Sequence, residues 1–231
     1  MPAGVGRRTA GMTDEELWAT VVGQAEAVGF LRSAAASPVH AYLFVGPPGA
    51  GRATAARAFA GSILARGTEG DDADRHRRLA GAGRHPDLVW VSPPGRALLV
   101  ADAEGITVES SRSPIEADRK VMVIDRFDTA EPECAASLLK TIEEPPVTVV
   151  FVLLAEEVPA EHITIASRCV RVDLPPLADE AVVAVLVADG VDPERAAHLA
   201  VASAGSLDRA RLLADDPTLQ DRRDAWWSVP D

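Results

Sequence analysis

Apolar residues along this chain follow two alternating rhythms. Short, nearly unbroken apolar runs occur at "AYLFV" (41–45), "DLVWV" (87–91), "KVMVID" (120–125), "VTVVFVLLA" (147–155) and "CVRVDL" (169–174). Such runs, without in-and-out alternation, predict strands buried on both faces. Between them the apolar positions take helical spacing. "GQAEAVGFLRSAAAS" starts at Gly23 and stops before Pro38, an alanine-rich stretch runs from Arg52 to Ala65, and "AEPECAASLLKTIEE" (130–144) halts at Pro145-Pro146. "TDEELW" opens on Thr13 with Glu16 three residues on, the capping-box signature of a short helix. Strands alternating with helices predict an α/β fold: a parallel sheet covered by helices on both faces.

Two stretches read less distinctly. Arg66 to Arg84 is polar and charged, which predicts a loop or a weak helix, and "GITVESSRSPIEADR" reads as a polar connector. After "PPL" (175–177) strands stop. Helical stretches at about 178–189, 193–203 and 206–214 predict a small all-helical unit. The division expected is therefore a disordered leader (1–11), an α/β domain (12–175), a helical unit (176–215) and a tail (216–231) carrying Trp226 and Trp227. The leader has two arginines but no apolar stretch after them, unlike a secretory signal, and Met12 is an alternative start.

Composition narrows the class. The length of 231 residues suits one domain with a small satellite, and 47% hydrophobic with 25% charged residues is ordinary for a globular protein. A net charge of -12 argues against gripping nucleic acid unaided, because neutralising phosphates needs a basic surface. It leaves room for a supporting role in a DNA-bound assembly. No apolar run approaches the ~18 residues of a membrane span. Cys134 and Cys169 lie far apart without CxxC spacing, which predicts free thiols in a reducing cytosol.

The candidate chemistry starts at "FVGPPGAGRATAARAFA" from Phe44. Gly46, Gly49 and Gly51 lie between a predicted strand and a predicted helix, where backbone N–H groups cradle phosphates. The pattern G-x-x-x-x-G-K-[ST] needs lysine and a hydroxyl at the next two positions; this chain has Arg52 and Ala53. Arg52 keeps the charge as a planar fork. Ala53 has no Mg²⁺ ligand to offer, and Thr54 sits one residue late, on another helix face. A ligand-free glycine–proline turn is the plainer reading. Asp125 ends a predicted strand, where a P-loop ATPase keeps its metal-positioning acid, but its neighbour is Arg126, which accepts no proton from water. A solvated Asp is the alternative. Arg168, in "TIASRCVRV", stands between a helical segment and a strand, as an ordinary surface charge or as a finger for a neighbouring site. Asp71, Asp74, His76 and His85 lack metal-ligand spacing and are expected to be solvated.

Taken in order, "VVGQAEAV" (21–28), "HAYLFVGPPGAGR" (40–52), "GRHPDL" (83–88), "KVMVID" (120–125), "ASLLKTIEEPP" (136–146) and "TIASRC" (164–169) resemble the clamp-loader branch of the AAA+ ATPases, which serves bacterial DNA polymerase III. The resemblance implies an AAA+ P-loop parallel sheet followed by a small helical lid domain. It assigns the arginine finger to Arg168 within Ser167-Arg168-Cys169, and a degenerate phosphate site to Gly46, Gly49, Gly51, Arg52 and Asp125. It implies gamma/tau-like ATPase subunits and a delta-like subunit as partners, the sliding clamp and primed DNA indirectly, a cytoplasmic location and no membrane.

The departures matter equally. The family's catalytic glutamate is Arg126 here, its polar sensor falls at Ala155 or Glu156, and lysine and hydroxyl are Arg52 and Ala53. Its four-cysteine zinc module has no counterpart before "HPD", so no zinc and no metal are expected. The Ile106–Lys120 connector is short for the helix expected there, and the collar domain has no counterpart after about residue 215. The pattern implies a subunit that no longer hydrolyses ATP and completes a neighbour's site. ATP or ADP held without Mg²⁺ and a collapsed pocket stay open as cofactor states. A self-sufficient P-loop NTPase or kinase, and a purely structural partner, stay open as functions.

Overall fold

The computed structural model describes residues 11–216; all but one residue of the expected leader, and all but one of the tail, including Trp226 and Trp227, lie outside them. Five strands, β1 (Ala41–Val45), β2 (Leu88–Val91), β3 (Lys120–Ile124), β4 (Val149–Ala155) and β5 (Val170–Asp173), form one sheet in the order β2-β3-β4-β1-β5. Every pairing is parallel. The unbroken apolar runs occupy the centre: every residue of β1, β3 and β4 is buried, while the edge strands β2 and β5 are partly open.

Alternate residues of each strand feed two cores. On one face Tyr42, Phe44, Val121, Val123, Val150 and Val152 pack under α1 (Asp14–Ala19), α2 (Ala25–Ala36), α3 (Arg52–Leu64) and α4 (Gly70–Gly81). Phe59 of α3 meets Tyr42 edge-on, ring centres 4.7 Å apart. On the other face Leu43, Met122, Ile124, Phe151 and Leu153 pack under α5 (Val100–Ser110) and α6 (Pro132–Glu143). The capping box on α1 forms: Thr13 Oγ1 accepts the Glu16 amide at 3.2 Å, and Glu16 accepts the Thr13 amide at 2.8 Å. A short α7 (Ile163–Ala166) precedes β5. Then α8 (Asp179–Ala188), α9 (Pro193–Ser203) and α10 (Leu207–Asp215) close a separate small core on Leu177, Val182, Leu186, Ala196, Ala200 and Ala210.

Two helices sharpen the sequence reading. The polar stretch after Arg66 contains twelve-residue α4, which buries only Ala73, His76 and Ala80 and so shows little apolar periodicity. The connector helix, α5, starts six residues before Ile106 and runs only to Ser110, with the Leu99 amide donating to Asp102 Oδ2 at 2.8 Å.

The "HPD" segment has a structural job. The fully buried Asp87 carboxylate accepts the backbone amides of Ile115, Glu116 (2.8 Å) and Ala117 (2.8 Å), pinning the turn that leads into β3. Lys120, at the start of β3, is buried with its ammonium on Glu109 Oε1 at 2.7 Å and the Glu109 carbonyl at 3.0 Å.

Candidate functional site

In an open parallel sheet, side chains converge outside the carboxyl ends of the strands. Here β1 runs into the glycine loop, β3 into Asp125 and β4 into Glu156. Gly46 leaves β1 with its amide on the Ala155 carbonyl at 3.1 Å, and the Leu174 carbonyl lies where a Cβ would stand. Gly49 and Gly51 take φ of 79° and 93°, values that only glycine adopts without strain, and Gly51 hands the chain to α3. The first-turn amides of α3 therefore face a cleft of about 350 Å³ without intrahelical acceptors.

The cleft gathers Gly49, Gly51, Arg52 and Asp125, and Gly46 sits at the base of the loop. Ala53 lines it with no hydroxyl. Thr54 lines it too, so the one-residue offset does not carry it to a remote face. Asp125 accepts from Ser92 Oγ at 3.3 Å and from the Arg126 amide at 3.0 Å. Arg126 itself is in the left-handed region, φ 50°, and its guanidinium folds onto the carbonyls of Pro93 (3.0 Å) and Gly95 (2.8 Å). The residue after Asp125 is thus a cation tied to another loop.

The helical unit sits on the phosphate loop. The Leu207 amide donates to the Gly49 carbonyl at 3.2 Å, and Leu207, Asp208 and Arg211 complete the cleft wall. Gln24, buried, spans the junction by donating to the carbonyls of Ala50 (3.0 Å) and Pro175 (2.7 Å).

Sequence reasoning missed one wall residue, Arg57, and did not foresee what Glu156 would face. Arg57, further along α3, lays its guanidinium over the Trp90 ring at 5.1 Å and lines the cleft; no motif position announces it. Glu156, just after β4, brings its carboxylate to 3.9 Å from Arg52 Nη2 and its amide to Asp128 at 3.2 Å. Arg52 Nη1 and Arg57 Nε are buried donors without an acceptor. The first-turn amides of α3 and the positive charge of Arg52 and Arg57 along the cleft suit the oxygens of a polyphosphate. For Mg²⁺ the cleft offers the Asp125 carboxylate and the Thr54 hydroxyl, with no hydroxyl at Ala53.

Arg168 is not among the cleft residues. It follows α7, with Nε 2.9 Å from Glu143 Oε1 and Nη1 donating to the Thr164 carbonyl at 2.6 Å, and its side chain stays 31% exposed. The guanidinium is held but not sealed. Cys169 beside it is a partly buried free thiol, its pKa pushed up to about 12 by burial.

The two histidines correct the sequence reading. Both His76 and His85 are buried, with Nδ1 of His76 2.6 Å from Nε2 of His85, and a Glu116 carboxylate lies nearby. The Asp87 amide donates to His85 Nδ1 at 3.0 Å. That bond places the His85 proton on Nε2, which donates to His76 Nδ1. Both facing nitrogens are thereby used by one hydrogen bond, and Glu116 is engaged by Arg75 at 2.7 and 3.2 Å. His76 and His85 are thus joined to each other and to the Asp87 amide, and Glu116 to Arg75. Asp74 pairs with Arg77 at 3.1 Å, and Asp71 lies in the first turn of α4.

Comparison with known proteins adds the lineage. The family model described as DNA polymerase III, delta subunit, matches residues 23–178. DNA polymerase III subunit delta' of Bacillus subtilis is 32% identical over 185 residues, 79% of this chain and 56% of that protein. The delta' subunit of Pseudomonas aeruginosa is 32% identical over 146 residues, 59% of this chain and 43% of its own length. Subunit tau of Escherichia coli is 30% identical over 192 residues, 76% of this chain and 29% of tau. The chain thus spans about half the length of the delta' relatives it matches. Among solved structures, two single-residue variants of Thermotoga maritima RuvB align with TM-score 0.59 at 17% identity, covering 83% and 84% of this chain and 60% and 61% of theirs. That likeness concerns the fold alone, a parallel α/β sheet followed by helices.

Proposed function

The chain belongs to the DNA polymerase III delta-subunit family, and from that premise we propose that it is a delta-prime-like clamp-loader subunit that hydrolyses no ATP itself. It supplies Arg168 to the nucleotide of a neighbouring gamma/tau-like ATPase subunit, beside a delta-like subunit, and so helps to place a sliding clamp on primed DNA in the cytoplasm. On this reading residues 12–175 are the nucleotide-binding-like domain and 176–215 its lid.

One contrast carries the reading. Within the chain's own cleft the metal-binding hydroxyl is absent at Ala53, the base position is Arg126 facing away, and Glu156 competes for Arg52. Outside the cleft, Arg168 stands partly exposed with polar hydrogens to spare. Hydrolysis in a P-loop site is positioning and charge stabilisation, so a site without the hydroxyl at Ala53 and without a base at Arg126 is slow, while an added guanidinium speeds a neighbour about 10³–10⁵-fold. The isolated cleft still fits a nucleotide's phosphates through the α3 amides, Arg52 and Arg57, without Mg²⁺. When bound there, ATP or ADP would act as a structural ligand, held by backbone amides at the loop and by the two guanidinium groups.

The test is reconstitution. The chain alone should show no ATP turnover and should join a complex of clamp-loader ATPase and delta-like subunits, raising their rate. Turnover by the chain alone, abolished by Arg52→Ala, would instead make it a self-sufficient NTPase. Complex formation with no change of rate would make it a structural partner.

A further inference from the structure

Glu143 and Arg168 belong to two separate motifs, "TIEEPP" and "SRC", and meet at the surface. Helix α6 ends on Glu143 before the Pro145-Pro146 stop, and α7 delivers Arg168 to the same place. Glu143 Oε1 lies 2.9 Å from Arg168 Nε. Arg168 Nη1 donates to the Thr164 carbonyl at 2.6 Å, an oxygen that also accepts Ser167 Oγ at 2.9 Å. A guanidinium has five N–H groups in a rigid fork. These bonds engage Nε and Nη1 and leave the Nη2 edge outside them. Glu143 is 46% exposed and Arg168 31%, and so open a pair adds little to folding stability.

We infer that Glu143 is a positioning residue for Arg168. Its carboxylate fixes the guanidinium at Nε, the Thr164 carbonyl fixes it at Nη1, and the Nη2 edge is presented to a docking subunit before docking occurs. A free arginine would have to lose its rotamer freedom at the moment of reaction; this one has lost it already. The inference rests on the reading that Arg168 acts on a neighbour's triphosphate. Because a finger meets charge that develops during phosphoryl transfer, the carboxylate should affect kcat and leave KM for ATP alone.

The experiment is steady-state ATP hydrolysis by the loader complex reconstituted from this chain and its ATP-hydrolysing subunits. Glu143→Ala should lower kcat by about ten- to a hundredfold, up to the loss that a 1 Å misplacement of a catalytic group causes, with KM and complex formation unchanged. Glu143→Gln keeps an oxygen for Nε and should stay close to the parent rate. Arg168→Ala should set the floor, and the double variant should fall no further. A parent-like rate for Glu143→Ala beside a large loss for Arg168→Ala overturns the positioning role and leaves the finger standing. If neither variant changes the rate, the finger reading falls and this inference with it. A faster Glu143→Ala complex, or a Glu143→Gln complex as slow as Glu143→Ala, also overturns it.

Discussion

Asp87→Asn tests whether the "HPD" segment is structural. The carboxylate is fully buried and serves three backbone amides, with one oxygen on Ile115 and the other shared by Glu116 and Ala117. Asparagine offers one oxygen and one NH₂ group. Its best orientation keeps the Glu116 and Ala117 amides on the oxygen and turns the NH₂ against the Ile115 amide. One charge-assisted bond, worth about 1.5–3 kcal/mol, is lost, and an N–H left without an acceptor costs about 1–3 kcal/mol more. The expected destabilisation is about 3 kcal/mol. At ~2–4 °C per kcal/mol for a chain of this size, the melting temperature falls by about 6–12 °C. Equilibrium urea unfolding followed by tryptophan fluorescence measures it directly, as a lower midpoint with an unchanged slope. A change below about 0.5 kcal/mol, the range of ordinary surface substitutions, would refute the account of this turn.

Other outcomes follow from the same reasoning. Burial, with His76 next, lowers the His85 pKa, and Arg75 also lowers it, while Asp87 and Glu116 pull it up. The native state therefore binds fewer protons than the unfolded state, so this contribution is full above about pH 6.5 and is lost as pH falls through the native value. The urea midpoint should drop between about pH 7 and 5.5, and less so in a His85→Gln variant; a pH-independent difference between the two would contradict the network. ATP binding to the isolated chain, followed by calorimetry, should survive EDTA and weaken about tenfold or more in Arg52→Ala, which removes a charge-assisted contact; strict Mg²⁺ dependence would contradict the metal-free site. Cys169, with its pKa pushed up to about 12, should react with a thiol reagent at about pH 8 only after unfolding.

How much of this was legible beforehand depended on where each signal resides. Buried strands announce themselves, since a residue such as Val123 or Val152 is apolar whichever face it takes. The glycine loop and Asp125 were legible because backbone conformation and a strand end demand particular residues at particular places. Helix α4 was faint: "DDADRHRRLAG" puts only Ala73, His76 and Ala80 inward, and one of those is polar. Helix α5 was faint because Gly105, Thr107 and Val108 lower helix propensity in the middle of the segment. At the site, Glu156 facing Arg52, Arg57 lying over Trp90 and Glu143 holding Arg168 arise only when separate elements are packed together. The His76–His85 pair was misread as solvated for the same reason: its partner, the Asp87 amide, is supplied by the fold.

The central claim is that this chain gives a guanidinium to another subunit's triphosphate and splits none itself. Comparing the ATPase kcat of the reconstituted complex carrying the parent chain or Arg168→Ala tests it most directly. The account predicts a fall of about 10³-fold or more with subunit composition intact. An intact complex that hydrolyses ATP at the parent rate would contradict it.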